Sequence, residues 1–122
     1  MFPCEIIVEH KHKQYRFNCV ESAYQALKCP KRIKEFVKLD GYQAKQLGKT
    51  VELREDWDSV KIEVMNDLLK QKFSQPDFLN KLQSVKGEIV EHNFWGDTFW
   101  GKCYGTGKNV LGKLLMKIRD EK

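Results

Sequence analysis

Apolar residues return at helical spacing along most of the chain and mix with polar ones in a strand-like way only near its beginning. Ile6, Ile7 and Val8, a polar turn at residues 10–13, and then Gln14, Tyr15, Arg16 and Phe17 predict a short β-hairpin, too small to be the core. The period changes at Asn18. Asn18 as N-cap, with Glu21 three residues on, makes an approximate capping box that opens a helix over residues 20–29, and Pro30 closes that helix or opens the next. Ile33, Phe36 and Val37 share one side of a second helix over residues 31–39. Asp40 and Gly41 punctuate it, and a short helical stretch over residues 42–47 follows, ended by Gly48.

The most regular helix is expected over residues 58–73, where Val60, Val64, Leu68 and Met65, Leu69, Phe73 form an inward stripe. Ser74, Gln75 and Pro76 open another helix, carrying Phe78, Leu79, Leu82 and Val85, with Gly87 at its exit. A brief strand is expected over residues 88–92. After an aromatic, glycine-rich segment, Val110, Leu111, Leu114, Leu115 and Ile118 restore helical periodicity over residues 109–119. The expected fold is mainly α (α+β): a single helical domain over residues 1–122 with a small β-hairpin or short β elements.

Composition narrows the class. With 122 residues, 41% hydrophobic and 32% charged, the chain has the balance of one globular core. No run approaches the roughly 18 apolar residues a membrane span needs, and Met1-Phe2-Pro3-Cys4-Glu5 lacks the layout of a secretion signal, so the expected location is the cytoplasm, with no membrane partner. Cys4, Cys19, Cys29 and Cys103 show no CxxC pairing, and with His10, His12 and His92 they offer no short ligand spacing; reduced thiols and no metal are expected. The net charge of +5 favours an anionic partner, a phosphate-bearing metabolite or nucleic acid, although its lysines are scattered as on any solvated helical surface.

Two regions can carry chemistry. Glu21, Gln25 and Lys28 lie on one face of the predicted helix and could meet a polar substrate. Helix physics alone explains them otherwise, Glu21 as a cap and the other two as solvent-facing. Residues 91–101 place Phe94, Trp95, Phe99 and Trp100 among Gly96 and Gly101, with Asp97 in the middle. Rings can sandwich a flat heterocycle and glycines let backbone approach it, or the same rings can seal a corner of the core. Gly105-Thr106-Gly107-Lys108-Asn109 precedes the last helix, where amides can hold an anion, but it matches neither the P-loop nor the dinucleotide fingerprint, so no ATP, NAD or other cofactor is assigned. Trp57 can stack on substrate or staple the long helix, and Arg54 beside it is expected in a surface ion pair.

Taken together, Val20-Glu21-Ser22-Ala23-Tyr24-Gln25-Ala26-Leu27-Lys28, Asp56-Trp57-Asp58-Ser59-Val60-Lys61 with Met65, Lys72-Phe73-Ser74-Gln75, and Glu91-His92-Asn93 closely resemble the NADAR, or YbiA-like, family. Asp97-Thr98-Phe99-Trp100-Gly101, Gly105-Thr106-Gly107-Lys108-Asn109-Val110-Leu111-Gly112 and Leu114-Leu115-Met116-Lys117-Ile118-Arg119 complete the resemblance. It implies a mainly helical fold and hydrolysis of N-glycosidic bonds at ribose C1. The substrate is then a phosphorylated ribosylamino-pyrimidine of riboflavin biosynthesis, or ADP-ribose on guanine with nucleic acid as its carrier.

By position in those motifs, Glu21 and Asp97 are the implied catalytic pair, Glu21 acting on the water or the cationic sugar and Asp97 positioning, with the reverse assignment open. Trp57, Trp95 or Trp100 would stack on the base, and Gln25 and Gly101 belong to the same motifs. Lys28, Lys108 or the amides near Asn109 would take the phosphate. The family's additional N-terminal segment with a Ser-Asn-Phe-like turn is missing before Phe2-Pro3-Cys4, which implies a more open pocket or a wall supplied by another subunit. The rival from another class is a non-catalytic module binding ADP-ribose or nucleic acid.

Overall fold

A computed structural model describes residues 4–121. Met1, Phe2 and Pro3, on which the departure at the N-terminus falls, lie outside the described residues. The chain divides into two compact units, Met1–Lys72 and Phe73–Lys122. The fold is mainly helical with small β elements, as the periodicity predicts.

In the first unit, strands β1 (Ile6–His10) and β2 (Lys13–Phe17) pair antiparallel, with Ile6 opposite Phe17 and Val8 opposite Tyr15. The alternation Ile6 in, Ile7 out, Val8 in turns one face of the hairpin inward, and Ile6 and Phe17 are fully buried. The hairpin therefore contributes to the core despite its size. Helix α1 (Val20–Leu27) follows, then a 3-10 helix at Pro30–Glu35, helix α2 (Gly41–Gly48) and helix α3 (Trp57–Lys72). The second expected helix is thus a 3-10 segment with Pro30 in its first turn and a non-helical kink at Arg32; Ile33 and, just past its end, Phe36 are buried, so the apolar side is anchored although the backbone does not continue as an α-helix.

Helix α1 packs on both α2 and α3. Its buried face is built from Val20, Ser22, Ala23, Tyr24, Gln25 and Ala26, and the alanines, with Ala44 of α2, let backbones approach. Met65, Leu68 and Leu69 form the buried part of the α3 stripe, while Val60 and Val64 stay half-buried; Phe73, expected in the same stripe, lies past the end of α3. The Gln71 amide ties α3 to the hairpin, accepting the Ile7 N–H at 2.5 Å and donating to the Ile7 carbonyl at 3.0 Å, as a neighbouring strand would.

The second unit is poorer in regular structure. Helix α4 (Pro76–Ser84), opened by Pro76, packs on helix α5 (Val110–Asp120) through buried Leu82, Leu115 and Ile118. Between them the expected strand shrinks to a parallel pair of two-residue strands, β3 (His92–Asn93) and β4 (Lys102–Cys103). The Arg119 guanidinium donates to the carbonyls of Val85 at 3.1 Å and Gly87 at 2.6 Å, closing the chain that leaves α4.

Candidate active site

The first unit carries Glu21, Gln25, Lys28 and Trp57. The sequence suggests that Asn18 caps α1 in a box with Glu21, and the structure corrects this: Cys19 is the N-cap, in extended conformation, with no side-chain cap bond. The Glu21 carboxylate instead accepts from Gln25 Nε2 at 2.9 Å, one turn along the same face. The reciprocal box lies at α2, where the Asp40 carboxylate accepts the Gln43 N–H at 2.8 Å and Gln43 Oε1 accepts the Asp40 N–H at 3.1 Å. Glu21 is therefore relieved of a capping duty and is half-buried, held by an amide.

Gln25 is buried rather than solvent-facing. Lys28 is half-buried, its ammonium 5.5 Å from the centroid of the Tyr24 ring. Burial lowers the Lys28 pKa from its ordinary value, the Glu21 carboxylate opposes that shift, and the charges of Lys45 and Lys61 add to it. Glu21, Lys45 and Lys61 thus all act electrostatically on Lys28, and Lys61 is itself 3.4 Å from the Asp58 carboxylate. Trp57 is buried and packs on Tyr24 with ring centroids 5.1 Å apart at 56°, the stapling outcome. The Arg54 guanidinium grips Asp56 with two bonds, at 2.6 and 2.9 Å, the surface ion pair expected of it.

The second unit carries Trp95, Asp97, Trp100, Gly101, Lys108 and Asn109 on a loop system held by three side chains instead of by sheet. Asn93 Nδ2 donates to the Asp97 carbonyl at 2.8 Å and Asn93 Oδ1 accepts the Asp97 N–H at 3.0 Å. The Asp97 carboxylate Oδ1 then accepts the N–H groups of Phe99 at 3.1 Å and Trp100 at 2.9 Å. Asn109, in left-handed conformation at the start of α5, accepts the Glu91 N–H at 2.9 Å and donates to the Ile89 carbonyl at 2.8 Å.

Gly101 is buried because the Glu91 carbonyl passes where a side chain would stand; its glycine serves chain packing. The amides near Asn109 are engaged within the protein: Lys108 N–H with Thr98 O at 2.7 Å, Asn109 with Gly101 at 3.3 Å, Val110 with Phe99 at 3.0 Å and Leu111 with Trp100 at 2.9 Å. These four amides are therefore committed to carbonyls of the loop that precedes them. The Lys108 ammonium lies 5.8 Å from the centre of the Phe99 ring, and Phe99 meets Trp100 edge-on at 4.9 Å. Phe94, Trp95 and Tyr104 are 76%, 66% and 81% exposed, with Phe94 and Tyr104 centroids 5.8 Å apart.

Sequence reasoning passed over Asn93, Tyr24, Lys45 and Lys61. Asn93 was the findable one, since a polar side chain at a short strand inside an aromatic loop needs buried partners. The described residues hold no group of three His, Cys, Asp or Glu side chains placed to bind a metal ion, and no helix among them is long and apolar enough to cross a membrane.

The family model described as NADAR domain matches residues 1–121. The chain is 35% identical over 121 residues to the riboflavin biosynthesis protein PYRR, chloroplastic, of Zea mays, covering 93% of this chain and 19% of that protein. N-glycosidase YbiA of Escherichia coli (strain K12) is 42% identical over 72 residues, 57% of this chain and 44% of that protein. The NMR structure of the Escherichia coli protein YbiA matches with a TM-score of 0.78 at 31% identity, covering 98% of this chain and 73% of that one. The chain thus spans less than half the length of both curated relatives.

Proposed function

The chain belongs to the NADAR family, and from that membership we propose that it hydrolyses the bond between ribose C1 and a nitrogen of a base, with Glu21 as the central carboxylate. The observation that carries this reading is the α1 face itself: a half-buried carboxylate fixed by Gln25, beside Lys28. Departure of the base leaves positive charge on the sugar, and a fixed anion close to C1 stabilises that transition state or takes a proton from the attacking water. The C1–N bond breaks, water supplies hydroxyl to C1, and its proton ends on the leaving nitrogen. No oxidant, reductant or cofactor enters the balance.

Lys28 supplies the charge that holds a substrate phosphate, with Lys108 a second candidate. Asp97 keeps the positioning task, performed by shaping the segment that carries Phe99 and Trp100. Trp95 and Trp100 remain the candidate stacking rings, whereas Trp57 acts through Tyr24. The substrate is a phosphorylated ribosylamino-pyrimidine or ADP-ribosyl-guanine, and the protein works in the cytoplasm.

The test measures free base released from each of those two substrates by the purified chain. Turnover of one of them, lowered about 100-fold or more in Glu21→Ala, supports the reading. Full turnover in Glu21→Ala would remove Glu21 from the chemistry. A second reading, a non-catalytic binding module, draws on the exposed Phe94, Trp95 and Tyr104 and the charge of +5. It predicts salt-sensitive binding of unmodified single-stranded DNA with no base released from either substrate.

A further inference from the structure

We infer that Gly48 and Gln25 form a positioning device for the Glu21 carboxylate, with Gly48 providing the seat that fixes Gln25 and Gln25 aiming Glu21. For its kinetic consequence the inference rests on the hydrolase reading; for its geometry it does not.

Gln25 is 4% exposed, and its two amide atoms have different surroundings. Nε2 donates to Glu21 Oε1 at 2.9 Å. Oε1 is buried with no hydrogen-bond partner among the described residues. The orientation is not interchangeable: turning the amide over would set Oε1 against a carboxylate oxygen, two acceptors facing each other. With Nε2 committed to Glu21, Oε1 has to point at α2.

What it meets there is Gly48. A methyl group at position 48 would collide with Gln25 Oε1 and stand 2.9 Å from Cδ and 3.5 Å from Cβ. Gly48 ends α2 without the left-handed conformation that usually explains a glycine near a helix end; the positive-φ glycines are Gly87, Gly96, Gly105 and Gly107, and the residue after Gly48 is itself right-handed. Space, not backbone freedom, accounts for the glycine. Its Cα side is the one surface that can lie against a buried amide oxygen here, with at most a weak C–H contact to offer it.

The same face of α2 reaches Glu21 directly. A Cβ on Gly41, seven residues earlier, would come 3.4 Å from Glu21 Cβ and 3.6 Å from Cγ, and Ala44 between the two glycines is fully buried. Glu21 is thus held along its stem by α2 and at one oxygen by Gln25, which directs the other oxygen away from the amide. A carboxylate fixed in this way loses less freedom when substrate arrives.

The test combines kinetics with NMR. The added methyl presses on both Oε1 and Cδ of a buried side chain, so Gly48→Ala is expected to fold with a lowered melting temperature, the gain in helix propensity offsetting only part of the strain. It is expected to lower kcat on the order of 10²-fold, with KM within about twofold, through misplacement of Glu21. In a Gln25→Ala background, which empties the seat, Gly48→Ala should cost nothing more. The Gln25 side-chain amide resonances should move in both Gly48→Ala and Glu21→Ala. Unchanged kcat in Gly48→Ala, or losses that multiply in the double variant, would overturn the inference. So would amide resonances indifferent to both substitutions. Should Gly48→Ala unfold, Gln25→Ala alone carries the kinetic prediction, and the amide resonances in Glu21→Ala carry the structural one. A wild-type chain that releases no base refutes the hydrolase reading, while the resonances still decide the contact.

Discussion

The Asp97 carboxylate accepts the backbone N–H of Trp100 at 2.9 Å through the same oxygen that takes the Phe99 N–H at 3.1 Å. One carboxylate oxygen therefore turns the chain before the aromatic pair. An asparagine keeps an acceptor oxygen in that place and drops the charge, whereas alanine loses both. Asp97→Asn is expected to stay within about 1 kcal/mol of wild type, and Asp97→Ala to cost about 1–2 kcal/mol, a cap-like loss. Urea titration measures both. If base release falls in Asp97→Asn at unchanged stability, the charge itself contributes; if it falls only in Asp97→Ala, the role is loop geometry. Equal stability in all three proteins would remove Asp97 from the loop's support.

Asn109 answers two backbone groups at once and does so from a left-handed conformation. Alanine forfeits both bonds and strains the backbone; glycine forfeits the bonds alone. Asn109→Ala should therefore cost about 3 kcal/mol, and Asn109→Gly about 1 kcal/mol less than that. Thermal melts of the pair compare them, and a glycine variant no better than alanine would show that conformation plays no part.

Helix existence was legible in the sequence wherever an apolar stripe ran long enough, as in α3, and wherever proline marked an edge, as at Pro76; the capping pair was misplaced, at Asn18 and Glu21 instead of Asp40 and Gln43. The family blocks pointed to Glu21, but its neighbourhood was hidden. Periodicity put Gln25 and Glu21 on one face without telling that the face is closed by α2, because Gly48 reads equally as a helix terminator and as a gap. The 3-10 segment escaped for a different reason: Ile33 and Phe36 both reach the core, but the backbone kinks at Arg32 and the helix stops at Glu35, which apolar spacing does not register. In the second unit, Asn93, Asp97 and Asn109 replace ladder hydrogen bonds with side-chain ones, a substitution that leaves no period to detect.

Trp57 tests whether stacking belongs to the core or to substrate. It is buried against Tyr24 at a centroid distance of 5.1 Å, so truncation opens a cavity in the first unit. Trp57→Ala is expected to lose about 3–5 kcal/mol, and Trp57→Phe, which keeps a ring on Tyr24, about 1–2 kcal/mol. Denaturant unfolding read by near-ultraviolet circular dichroism follows both. A Trp57→Phe protein with wild-type stability and a KM raised several-fold would transfer the ring from the core to the ligand.

Lys28 gives the pH dependence. Half-burial lowers its pKa from 10.5, with Lys45 and Lys61 pushing the same way and the Glu21 carboxylate opposing. Between that lowered value and 10.5 the unfolded chain binds more protons than the folded one, so the Lys28 contribution to stability rises with pH across that window. Below the window both states are charged, and the folded state carries the full burial cost. Lys28→Met should therefore be more stable than wild type at neutral pH, the difference shrinking as pH climbs toward 10.5. Phosphate binding runs the other way: as the folded lysine loses its proton, KM for a phosphorylated substrate should rise, and earlier than an ordinary lysine would allow. Lys28→Arg stays charged and should move that rise out of the window. Urea melts of wild type and Lys28→Met from neutral to alkaline pH separate the effect of Lys28 from that of the other lysines. A constant stability difference would mean that Lys28 titrates alike in both states, and a KM profile identical in Lys28→Arg would assign the phosphate to another cation.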